Sequence, residues 1–150
     1  MSARRAGQNE MTGSRRLAFM LAAALAILAA LGFLSGANGF GAPLRLNTDT
    51  ASVQAPAALF GFIAARMGRR ASDLFLVAVG LLLCVDAFMG ATRGTFYLSF
   101  ASLRGAIEPL AKPARYVAVL PHALLGIAAL VAGLRSANEA AKTRQDAPPT

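Results

Sequence analysis

Leu17–Leu34, LAFMLAAALAILAALGFL, carries no charge over 18 residues. As an α-helix it would rise about 27 Å, close to the ~30 Å thickness of bilayer hydrocarbon. Working outward, three further apolar runs follow: Ser52–Met67, Leu74–Ala91 and Tyr116–Leu134. Arginine and lysine gather at the ends of these runs. This pattern predicts an all-α membrane protein of four transmembrane helices, with a membrane domain over residues 17–135. Basic polar tails at 1–16 and 136–150 are expected to be disordered.

The bulk composition agrees. Of the 150 residues, 56% are hydrophobic, above the 45–50% or so of soluble domains. Mean hydropathy is +0.53. There are 15 Lys and Arg against 7 Asp and Glu, for a net charge of +8. Nucleic acid is excluded as the reason, because the basic residues flank apolar runs instead of lining one polar face. Anionic lipid and the positive-inside rule account for that placement. Cys84 is the single cysteine. It has no disulfide partner in the chain, and no Cys/His cluster predicts a metal.

The runs differ in strength. Ser52–Met67 is short and contains Gln54 and Pro56, so a three-span protein is the alternative. Gly68-Arg69-Arg70 reads as a tight basic turn, after which Ser72 or Asp73 is expected to cap the third helix. Between the third and fourth runs, Phe96, Phe100, Leu103, Ile107 and Leu110 recur at steps of four and three. That spacing predicts a short amphipathic helix at the membrane surface, with an irregular packed loop as the alternative. The first run also has features of a signal peptide, with Ser35-Gly36-Ala37 as a small-residue site and Ser14-Arg15-Arg16 as a twin-arginine element. Its length exceeds a usual signal core, and Ala18 stands where that element needs a large apolar residue. A retained helix is therefore expected.

Orientation follows from the basic residues. Arg4, Arg5, Arg15, Arg16, Arg66, Arg69, Arg70, Arg135, Lys142 and Arg144 fall on one side; Arg45, Arg93, Arg104, Lys112 and Arg115 fall on the other. Ten against five places both termini in the cytoplasm of a bacterial inner membrane.

The polar residues inside apolar runs are the candidate site. Asp86 and His122 are each expected roughly 8–9 Å below the outer surface, with Gln54 entering from the same side. A carboxylate at mid-membrane costs ~2.5–3.5 kcal/mol on insertion scales, so Asp86 must pair, reach water or be protonated. The alternatives are a structural hydrogen-bonded clamp, with His122 or Arg93 as partner, and a proton-coupled or ligand site. Small residues at four-residue steps (Ala22, Ala26 and Ala30; Ala57, Gly61 and Ala65; Ala129 and Gly133) read as helix-packing faces, as does Gly126.

Gln54–Ala65 aligns without gaps on His122–Gly133, placing Gln54 over His122, Ala58 over Gly126 and Gly61 over Ala129. Two helical hairpins related as parallel repeats are consistent with this. The same pattern resembles an uncharacterised family of small bacterial four-helix membrane proteins of the domain-of-unknown-function kind. In that family a histidine is followed after three residues by glycine, and then by a small and an apolar residue. His122, Gly126, Ala129 and Leu130 match it, whereas Gln54 and Ala58 depart from it in the second helix. The resemblance implies a four-helix membrane fold and no particular activity.

No catalytic motif is visible, and no cofactor is expected. The reading placed first is a non-enzymatic structural or accessory membrane component. Its partners are the lipid bilayer and either further copies of itself or a larger membrane complex. A small proton-coupled transporter using Asp86 and His122 comes second, and a membrane enzyme or redox accessory last.

Overall fold

The computed structural model describes residues 13–35, 48–94 and 112–145, and every regular element among them is an α-helix. The helices are α1 (Gly13–Ser35), α2 (Thr48–Met67), α3 (Arg69–Arg93) and α4 (Lys112–Gln145). Three segments are long and apolar enough to cross a membrane: α1, α3 and the Arg115–Glu139 portion of α4. The chain is a helical membrane protein. Thr48, Asp49, Thr50 and Gln54 dilute the apolar character of α2. The amphipathic helix expected over 96–110 lies outside the described residues, as do residues 1–12 and 146–150 of the tails.

Several boundaries differ from those the sequence pattern predicts. Neither Ser72 nor Asp73 caps α3, which begins at Arg69 with no side-chain cap. Gly68 alone makes the turn, at φ 117°, a backbone region that side chains disfavour. The Ser72 N–H donates to Gly68 O (3.1 Å), continuing the helical ladder back into the turn. The Ser72 hydroxyl then bonds Ala64 O at 3.2 Å and Gly68 O at 3.0 Å, tying α3 to the end of α2. At the other end α4 continues to Gln145, because Glu139, Ala141 and Lys142 suit a helix as well as a tail. In α2 and α4, Pro56 and Pro121 are internal. Each withholds an N–H from the carbonyl four residues before it.

Two antiparallel pairs organise the bundle: α1 packs chiefly on α2, and α3 chiefly on α4. Lipid tails supply little hydrophobic drive for helices to meet, so association relies on close backbone approach. The core reflects this. Ala18, Ala58, Ala64, Ala65 and Ala129 make up five of its nine buried residues, beside Leu21, Leu25, Phe75 and Leu76. On α2, Gly61 lets Ala22 of α1 and Phe75 of α3 approach so closely that an added Cβ would lie 2.7 and 2.6 Å from them. The α3–α4 pair is tighter still. A Cβ at Gly80 would fall 2.6 Å from the Leu130 backbone nitrogen, and one at Gly126 would fall 2.9 Å from that of Cys84. Gly133 meets Asp73 O and Val77 in the same way.

Arginines lock the hairpins at their ends. Arg15, at the start of α1, donates to Ala65 O near the end of α2 at 2.9 Å. Arg69, at the start of α3, donates to the Ser136 hydroxyl and carbonyl of α4. Arg115, near the start of α4, donates to Thr92 O (3.2 Å) and Ala91 O (3.4 Å) in the last turn of α3. Two of these guanidiniums, Arg15 and Arg115, thus meet the electronegative end of a neighbouring helix. The contacts also fix chain directions: α1 and α3 both start at the end where α2 finishes.

Candidate functional site

Asp86 is 2% exposed and stands in the final third of α3. His122 enters from α4, eleven positions along that helix. The antiparallel α3–α4 register brings them level, and His122 Nε2 lies 3.8 Å from Asp86 Oδ2. The imidazole is partly accessible while the carboxylate is enclosed.

The other ring nitrogen defines the chemistry. His122 Nδ1 lies 3.2 Å from Ala118 O, one turn back along α4. A carbonyl only accepts, so this contact requires a hydrogen on Nδ1. Nε2 is then the nitrogen facing the carboxylate. With both groups deprotonated on the facing atoms, two lone pairs would oppose each other. At 3.8 Å the facing atoms are within ion-pair reach and beyond a direct hydrogen bond, and the contact is favourable when a proton resides on Nε2 or Oδ2.

Gln54 lies on α2, which packs on α3, the helix of Asp86, and not on α4 among the described residues. Its Oε1 is buried without a hydrogen-bond donor there. The packing residues divide between the two hairpins. Ala57, Gly61 and Ala65 lie on α2, Gly61 and Ala65 being buried; Gly126, Ala129 and Gly133 are buried on α4. Cys84 is half-buried with its Sγ against the Gly126 backbone, where it serves as a small packing group.

Asp73 is a polar residue whose placement the sequence did not reveal. Read as a helix cap, it is instead buried one turn into α3, with Oδ2 3.9 Å from Arg69 Nε. Arg69 also faces Glu139 of α4 at 3.7 Å. Only the four-residue spacing of Arg69 and Asp73 signalled the contact in advance. Between Asp73 and Asp86 the α3–α4 seam is lined by Val77, Gly80, Cys84, Gly126 and Gly133, with backbone against backbone. Among the described residues, no group of three or more metal-binding side chains occurs. Comparisons with protein-family models, curated proteins and solved structures give no match, so the fold and the pair's geometry carry the reading.

Proposed function

We propose that this chain is a non-enzymatic structural or accessory component of a bacterial inner membrane, crossing the bilayer four times with both termini in the cytoplasm. The observation that carries the structural role is the glycine-lined α3–α4 seam, closed by Arg69 and Arg115 at its two ends. Arg15, Arg69, Ser72 and Arg115 tie neighbouring helices together, while large apolar side chains such as Met20, Leu74 and Leu124 face outward. That outward surface suits lipid and a membrane partner, either further copies of this chain or a larger complex. The crossing of α2 is supported by direction. Since α1 and α3 start at the same end, the chain must return between them, and α2 is the described helix that does so. Extraction in a mild detergent followed by size-exclusion chromatography with light scattering tests the role. A homo-oligomer or a defined larger assembly is expected, and a lone monomer at membrane-like protein density would refute it.

The Asp86–His122 contact favours a second reading, a small proton-coupled transporter. On this reading Asp86→Asn removes the carboxylate that exchanges the shared proton. Proteoliposomes enclosing a pH-sensitive dye then show proton entry with the wild-type protein and none with the variant. Equal traces for the two proteins would eliminate proton coupling through this pair.

A further inference from the structure

The geometry points to a binding site for an anionic phospholipid at the basic end of the α1–α2–α3 group, with Arg16, Arg66 and Arg70 holding the headgroup. Arg15 and Arg69 are half-buried and tied within the protein, to Ala65 O and to Ser136. Three arginines adjoin these contacts in sequence. Arg16 follows Arg15, Arg66 follows Ala65, and Arg70 follows Arg69. All three neighbours are exposed. The Arg15–Ala65 hydrogen bond and the one-residue turn at Gly68 gather them at one end of the bundle.

What lies beneath the arginines selects a lipid over a free anion or a nucleic acid. On a helix, residues three and four apart share a face. Below Arg16 on α1 comes Met20, 65% exposed; below Arg70 on α3 comes Leu74, 71% exposed. Arg66 on α2 stands over Ile63 and Leu59, which are exposed as well. Each cation thus tops an outward apolar strip running into the membrane-facing surface. A ligand matching this surface has a negative head and a hydrocarbon tail in line. Among the described acids of this end, Asp73 is buried beside Arg69 and Glu139 faces the same arginine. Basic side chains at the cytoplasmic surface recruit anionic lipids through such contacts. The inference rests on the membrane-spanning reading and on the basic end being cytoplasmic.

The test uses the full chain reconstituted in nanodiscs of phosphatidylcholine containing one-fifth phosphatidylglycerol, with flotation and carbonate extraction first establishing insertion. Native mass spectrometry then counts lipids retained on release. Preferential retention of phosphatidylglycerol is expected, weakening as salt is raised. Arg16→Gln, Arg66→Gln and Arg70→Gln together should lower it roughly a hundred-fold, about five-fold per arginine. The triple lysine variant should keep most of it, and so should Lys142→Gln, which removes a charge from the same end of the molecule but outside the three-arginine site. Equal retention of the two lipids, salt-independent retention, or unchanged retention in the glutamine variant would overturn the site. Displacement by millimolar inorganic phosphate or glycerol phosphate would overturn the lipid assignment in favour of a simple anion site. Failure of the wild-type chain to float with vesicles would overturn the membrane reading itself, an outcome distinct from insertion without lipid preference.

Discussion

At the residue scale, glycine carries as much of the fold as any apolar side chain. Gly80 meets backbone, which cannot rotate aside as a flexible side chain does. Gly80→Ala should therefore push α3 from α4 and destabilise the protein by about 1–3 kcal/mol, the usual cost of overpacking. Gly13→Ala, where an added Cβ meets nothing within 4 Å, should be neutral or slightly stabilising. Thermal melts of the two variants in one detergent provide the comparison. The buried pair gives a second contrast. With Nδ1 donating to Ala118 O, the Nε2 of a neutral His122 accepts a hydrogen bond. Asn at position 86 supplies the donor, so Asp86→Asn should cost under about 1 kcal/mol. His122→Ala removes the imidazole beside an enclosed carboxylate and should cost more, about 2–3 kcal/mol. In the double variant the two effects should fall short of their sum, because both act on one contact. An additive cycle would show that the residues are energetically independent. The level placement of Asp86 and His122 was legible in the sequence, since counting residues from each helix end gives depth. Which helices are neighbours was not: depth does not give it, and α2 lies against α1 and α3 without packing on α4 among the described residues.

At the scale of elements, the hairpins are closed by guanidiniums on carbonyls. The last carbonyls of a helix have no partner within it, and Arg115 supplies one for α3 at Ala91 and Thr92. Gly94 makes room for this. It sits at φ 75°, and a side chain there would run into the guanidinium. Arg115→Ala should therefore loosen the end of the α3–α4 pair by ~1 kcal/mol, a value held down by solvent and headgroup screening. Hydrogen–deuterium exchange should rise over residues 88–94 while Leu76 and its neighbours stay protected. Uniform exchange along α3 would mean that Arg115 contributes nothing local. These staples were not legible in the sequence, where Arg15, Arg69 and Arg115 appear only as flanking charges. A charge count does not reveal which guanidiniums reach back to a neighbouring helix. The apolar lengths of α1, α3 and the central part of α4 were legible, because length and the absence of charge suffice for a span. The start of α3 was misread for a physical reason. Side-chain capping and a glycine turn both begin helices, and here a positive φ at Gly68 made the cap unnecessary.

For the whole molecule, helix directions tie the span count to orientation. The segments apolar enough to cross a membrane are α1, α3 and part of α4. A chain crossing only three times would alternate direction through them, with α3 opposed to α1. Instead the two run the same way: Arg15 at the start of α1 reaches Ala65, and α3 starts one residue after α2 ends. The proposed fourth crossing by α2 would reconcile these facts, and at 20 residues that helix has a length of about 30 Å. Its polar first turns would then lie at the outer surface, and Pro56 in the outer half. The same directions put Arg15, Arg66, Arg69, Arg70 and Arg135 at one end and Arg93 and Arg115 at the other. The proposed orientation, with the first end cytoplasmic, is the one the positive-inside rule favours. Alkaline phosphatase, active only outside the cytoplasm, tests this when fused after residues 40, 68, 105 and 150. Activity is expected at 40 and 105 and none at 68 and 150. An epitope tag at the N-terminus should remain on the full-length protein, showing that α1 is retained. Activity at both 68 and 150 with the tag kept would reverse the molecule or deny α2 its crossing, and loss of the tag would mean that α1 is cleaved.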